Sequence, residues 1–271
     1  MLRVAFPSAS RRGLAVRSDG YPAPVLDVQR DPRAGLLAAW LRTSPLAAFC
    51  LVTLVGYAIL AAVTIGIGLL VVDLLLPIHA IGHTDELANG WLARHRSASL
   101  NDASYVGSSI GDIPAVPALV ILTAAGAALT RRWRIVAFIL GAILVEVATY
   151  RITSLLVHRE RPTVLRLDNL PVDQSFPSGH VAASVVVYCG LALLACSRLR
   201  QRWARTVVWT LAILLPIVVA VSRMYRGMHH PIDVTAGALV GAASLAVALL
   251  ATRAADGAAP FRSSTGRGAR R

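Results

Sequence analysis

Long apolar runs separated by short polar stretches dominate this sequence. A helix that crosses a bilayer needs about 20 predominantly apolar residues. Six runs reach or approach that length: 43–72, 113–130, 135–157, 181–197, 206–222 and 234–252. The fourth and fifth hold only 17 uncharged residues each, so polar residues at their ends must complete a span. The second carries Pro114 and Pro117, and the third carries Glu146 and Arg151. The pattern predicts an all-α integral membrane protein, a six-transmembrane-helix bundle over 46–252. It is flanked by a basic tail, 1–45, and a second basic tail, 253–271, both expected to be flexible.

Composition agrees with the pattern. Hydrophobic residues make up 56% of the chain and mean hydropathy is +0.62, too apolar for an ordinary soluble domain. The net charge is +13, and all 27 basic residues are arginine. Such a balance can signal nucleic acid, but here the arginines fall between the apolar runs, so membrane topology is the better reading. Nineteen of the 27 lie in the two tails and in the connections after the second and fourth runs. The positive-inside rule then puts both termini in the cytoplasm and turns the connections 73–112, 158–180 and 223–233 outward. The "SRRGLAV" stretch near the N-terminus is not followed by an apolar segment, so a tail is expected there and not a cleaved signal. Cys50, Cys189 and Cys196 all fall in apolar runs without metal-type spacing and read as packing residues.

The outward connections collect the candidate chemistry. In the first, "HTDELANGWLARH" predicts a short interfacial helix capped by Thr84 or Asp85, with Leu87 and Trp91 on one face. His79, His83 and His95 read as bystanders. "HRERP" (158–162) follows the third run, "FPSGH" (176–180) opens the fourth, and "SRMYRGMHHPID" (222–233) joins the fifth to the sixth. Arg161 and Arg223 offer guanidinium forks that match phosphate oxygens. Ser178 and Gly179 stand at a helix N-terminus, where free amides and the positive dipole end favour an anion. A second helix N-terminus follows Pro231. His180 is placed to act as an acid. His229 and Asp233 are four apart and His230 and Asp233 three apart, so helical spacing leaves two candidate nucleophiles.

Together these clusters resemble the signature of the type 2 phosphatidic acid phosphatase superfamily, which joins membrane lipid phosphate phosphatases and vanadium haloperoxidases. Its pattern is Lys-x6-Arg-Pro, Pro-Ser-Gly-His and Ser-Arg-x5-His-x3-Asp. Pro177, Ser178, Gly179 and His180 match the second motif, and Ser222, Arg223, His229 and Asp233 match the third. The resemblance implies that His229 is the nucleophile, Asp233 orients it, and His180 protonates the leaving alcohol. It also implies that Arg161, Ser178, Gly179 and Arg223 hold the phosphoryl oxygens, with no metal and no cofactor. The implied function is hydrolysis of a lipid phosphomonoester or pyrophosphate at the extracytoplasmic face of the cell membrane, through a phosphohistidine. Its partners are the lipid substrate and the bilayer. The alternatives are head-group phosphotransfer on the same scaffold and a non-catalytic lipid-binding relative. The first motif departs from the pattern: Ser154 stands where the lysine belongs. Arg151, one turn earlier, either replaces that cation or pairs with Glu146.

Overall fold

The computed structural model describes residues 25–26, 44–112, 114–169 and 171–258. Among them are eight helices and no strand. Helix α1 is Pro45–Leu69, started by the Ser44 side chain on the Ala47 amide and extended by a π-helical turn, Leu70–Leu75. Then come α2 (His79–Arg94), α3 (Ala98–Ser109), α4 (Ala115–Leu129) and α5 (Trp133–Leu156). Helix α6 begins as Gly179–Ser184, passes through a π-helical stretch, Val185–Cys189, and finishes as Gly190–Cys196. Helices α7 (Arg202–Tyr225) and α8 (Pro231–Ala258) complete the bundle.

Five of these helical stretches are long and apolar enough to cross a membrane: Pro45–Leu75, Trp133–Leu156, Gly179–Cys196, Arg202–Tyr225 and Pro231–Ala258. The protein is therefore a multi-pass membrane protein. The expected second span differs. Its helix, Ala115–Leu129, has only 15 residues, because the turn around Gly111 and Pro114 ends α3 and starts α4 late. At the other boundary α8 runs on to Ala258, past the expected limit at 252. Most of both tails lies outside the described residues. The short piece of N-terminal tail that is described does not hang free: Leu26 is buried against Phe138, Ala142 and Leu245, and Arg253 donates to the Val25 carbonyl at 3.2 Å.

Two interior layers hold α5, α6 and α8 together. One is Phe138, Ala142, Val185, Val186, Leu245 and Ala248, and the other packs Val116 and Val120 of α4 on Ile139 and Val187. The three cysteines are free thiols, as the sequence suggests. Near the site the packing is closer than side chains allow. A Cβ on Gly237 would collide with the Ser178 carbonyl, so the start of α6 rests directly on the backbone of α8. The ends of α5, α6, α7 and α8 that carry the three sequence clusters converge at one end of the bundle, where α2 and α3 lie across them.

The interfacial helix in the first connection is longer than predicted and is capped differently. It starts at His79 after Ile78, with no side-chain cap. Thr84 instead bonds back to Ala80 O at 2.5 Å, and Asp85 turns inward, 5% exposed. Leu87 and Trp91 share the exposed face, as expected. His79 stacks on His83, and His95 contacts the Trp91 carbonyl at 2.8 Å, all outside the cluster described next.

Candidate active site

The site is assembled around one fully buried carboxylate. Asp233, in the first turn of α8, takes Arg159 Nη1 on Oδ1. Its Oδ2 accepts from Ser175 Oγ at 2.6 Å and from the His230 amide at 2.9 Å. Arg159 reaches back with Nη2 to Asp85, whose other oxygen accepts the Ile232 amide at 3.1 Å. Asp85, Arg159 and Asp233 thus form a buried, alternately charged chain that ties α2 to the start of α8. Removing one member would strand the others' charge, a loss of about 3–5 kcal/mol for a buried pair.

The geometry separates the two histidines. His230 spends both ring nitrogens on carboxylates: Nδ1 is 3.3 Å from Asp233 Oδ2, and Nε2 is 2.9 Å from Glu86 Oε2. His229 places Nδ1 at 2.8 Å from the Ser175 carbonyl, which can only accept, so Nδ1 carries the proton and Nε2 keeps its lone pair. Asp233 Oδ2 lies 3.9 Å from His229 Nδ1, beyond hydrogen-bond reach. The expected direct His229–Asp233 contact is therefore relayed through Ser175, because Asp233 is already saturated by Arg159, Ser175 and His230. His229 is 2% exposed. Burial, and then the positive charge of Arg223 and Arg161, hold its pKa well below the ordinary 6.5, so it is neutral at neutral pH. Gly227, at φ 71°, makes the turn after α7 that delivers His229, a left-handed conformation that favours glycine.

Near the imidazole, which feels the Arg223 charge, lie donors that have no acceptor among the described residues. Arg223, 2% exposed, gives Nη1 to Ser108 Oγ at 3.1 Å and to Asp168 Oδ2 at 3.0 Å, while its Nε and Nη2 have no partner. The buried Ser178 Oγ has none either. Ser178 is the N-cap of α6 and its side chain does not cap the helix, so the following amides are also open. An uncompensated buried donor costs about 1–3 kcal/mol. Several such donors from one end of the bundle suit an anion with several acceptor oxygens. The second helix N-terminus expected in this cradle is not free. Asp85 takes the Ile232 amide at the start of α8.

Arg161 is more structural than the sequence suggests. Its guanidinium donates to the carbonyls of Pro171 at 2.7 Å, Gln174 at 2.9 Å and Met228, knitting the 158–178 connection to the turn before His229. Three of its five N–H groups are used in this way. His180, at the head of α6, sets Nε2 3.2 Å from Asp112 Oδ1 and is 21% exposed on its side chain, the opening of the site toward the α3–α4 turn. Gly179 lies against the Tyr150 ring, where a Cβ would sit 3.1 Å from ring carbons.

Ser154 is 2% exposed and gives its hydroxyl to Arg151 O at 3.1 Å, so no cation stands at the lysine position. Arg151 is exposed on α5, and Glu146 is buried with Oε2 unpartnered, so the two do not pair through that oxygen.

Several members of this cluster escaped the sequence reading: Asp85, Arg159, Asp168, Ser175 and Asp112. Asp168 binds Arg226 through 2.5 Å and 3.0 Å contacts as well as Arg223. Those bonds and charges outweigh its partial burial and keep its carboxyl below the usual range. Three of the five, Asp85, Asp112 and Asp168, are acidic residues in the outward connections, and that is the signal the sequence offers for them.

The chain belongs to the PAP2 superfamily, whose sequence profile matches residues 116–256, just over half of its length. It is 36% identical over 108 residues to an undecaprenyl-diphosphatase of Sulfolobus acidocaldarius, covering 40% of this chain and 48% of that protein. It is 28% identical over 112 residues to the bacitracin transport permease protein BcrC of Bacillus licheniformis, with coverages of 41% and 50%. The chain thus spans about half the length of these curated relatives. In fold it resembles the transmembrane PAP2-type phosphatidylglycerolphosphate phosphatase of Bacillus subtilis, with a TM-score of 0.59 over 76% of this chain and 94% of that one. At 22% sequence identity that likeness concerns the fold alone.

Proposed function

We propose that the protein is a membrane lipid phosphate phosphatase that works through a phosphohistidine on His229. The observation that carries this reading is the pairing of a neutral, buried His229 with three unpartnered donor groups, Arg223 Nε, Arg223 Nη2 and Ser178 Oγ. A phosphoryl group held by those donors and by the α6 amides meets the free Nε2 lone pair. In the first step Nε2 forms a bond to phosphorus and the bond to the lipid oxygen breaks. His180, steadied by Asp112, gives its proton to that oxygen. In the second step water attacks phosphorus, His180 takes the water proton, the P–N bond breaks and inorganic phosphate leaves. The fixed donors act on charge that grows in the transition state, so they accelerate the chemistry as well as binding the substrate.

The arginine distribution supports six crossings, cytoplasmic termini and a site on the extracytoplasmic side. In that arrangement α4 crosses with help from polar residues at its ends. The lipid head group then reaches the site from the outer leaflet. Phosphomonoesters and polyprenyl pyrophosphates are both candidate substrates.

A release assay tests the reading. Purified full-length protein, in EDTA, should liberate inorganic phosphate from at least one of phosphatidate, phosphatidylglycerol phosphate and a polyprenyl pyrophosphate. No release from any of them, with or without a hydroxyl acceptor, would favour a non-catalytic lipid-binding protein. Label appearing on an added alcohol in place of free phosphate would favour a transferase. The pH profile is a further check. Nucleophilic attack needs neutral His229, and burial favours that form, so protonation should stop the reaction only below the ordinary 6.5. The acid limb of kcat/KM is expected below that value. A limb above it contradicts the buried neutral nucleophile.

A further inference from the structure

Midway along α5 lies a polar seam that the phosphatase chemistry does not use. Glu146 is 1% exposed and Thr149 and Thr153 are 0% exposed. Glu146 Oε2, Thr149 Oγ1 and Thr153 Oγ1 all lack a hydrogen-bond partner, as does the buried Thr53 Oγ1 of α1. This is not the habit of threonine in this bundle. Thr64, Thr123, Thr206 and Thr252 each hand their hydroxyl to the carbonyl four residues back. Thr53, Thr149 and Thr153 do not, so their hydroxyls are left for another partner.

Three of the four lie on one helix face, and the fourth is at the same level on the neighbouring helix. Residues 146, 149 and 153 share one face of α5, continuing the Phe138–Ala142 stripe that packs on α6 and α8. Phe49 of α1 lies against Gly141 of α5. One turn further along both helices, which run in the same direction, brings Thr53 level with Glu146. From Glu146 to Thr153 the seam rises about 10 Å at 1.5 Å per residue. Beyond Thr153, Gly68 of α1 packs against the buried Val157 and Phe176. Among the described residues no cation is paired with Glu146. An uncompensated charge in a span is far costlier than a neutral acid, so the group is a carboxyl that can both donate and accept. Water, which needs two to four polar partners, is the ligand that satisfies such a row.

We propose that Thr53, Glu146, Thr149 and Thr153 bind a file of water molecules inside the span, with Glu146 as its proton-exchanging member. The test uses the full chain in nanodiscs and needs no lipid phosphate, so it stands or falls separately from the phosphatase reading. Infrared difference spectra on transfer to D2O should contain a carboxyl C=O band that is absent in Glu146→Gln. In the wild type that band should shift as fast as buffer can be exchanged. Thr149→Val removes the middle oxygen and should slow the shift about tenfold or more, because exchange must then wait for local opening. A wild-type band that does not shift means a dry carboxyl and overturns the proposal. A shift equally fast in Thr149→Val overturns the file.

Discussion

Replacing His229 with alanine is expected to lower phosphate release roughly 10⁴-fold or more, equivalent to about 5 kcal/mol of transition-state stabilisation. The loss is large because nothing else nearby can take over. His230 has both nitrogens on carboxylates, Asp233 and Glu86, and so has no lone pair free for phosphorus. The effect should fall on kcat, since the phosphate donors remain. His230→Ala is the informative contrast. From sequence it is expected to be mild, because the residue before Pro231 is pushed toward extended backbone. The structure raises that expectation, because His230 bridges α2 to α8. Its loss should lower stability and moderately slow turnover, without abolishing the covalent step. Equal loss in the two variants would contradict the assignment of roles.

Arg223→Ala carries the second large expectation, a drop in kcat/KM of about 10²–10³-fold, the usual scale for removing one preorganised donor. Two of its nitrogens have no partner among the described residues, so their energy is available to the phosphoryl group. Asp168 remains held by Arg226 at 2.5 Å, so the 158–178 connection should stay anchored in the variant. Arg223→Lys keeps a charge but not the planar fork and should recover only part of the loss. If Arg223→Ala lost less than about threefold, against the 10²–10³-fold typical of such donors, the anion site would have to lie elsewhere.

Much of this was legible in the sequence because it rests on local rules. Apolar run length gave five of the six expected spanning helices, and Pro-Ser-Gly-His marked a helix start. The Arg-x5-His-x3-Asp register singled out His229 by resemblance where helical spacing left a tie. What stayed hidden depends on long-range pairing. Asp85 and Arg159 are 74 residues apart and Arg223 and Asp168 are 55 apart, and no periodicity in either segment announces the partner. Asp85 looked like a cap because capping and ion pairing draw on the same residue type. Arg161 looked like a free clamp because its acceptors are backbone carbonyls, which leave no trace in side-chain identity. The relay through Ser175 is likewise a backbone feature. The α3–α4 break was foreshadowed by Pro114 and Pro117, but the resulting 15-residue length of the fourth helix was not.

The most direct test of the central claim is to trap the covalent intermediate. Full-length protein mixed with a ³²P-labelled lipid phosphate that it hydrolyses, then quenched in alkali within one turnover, should carry label on the peptide containing His229. That label should be stable to base, labile to acid and absent from His229→Ala. A catalytically active protein that never acquires label, or one labelled on another residue, would contradict the account.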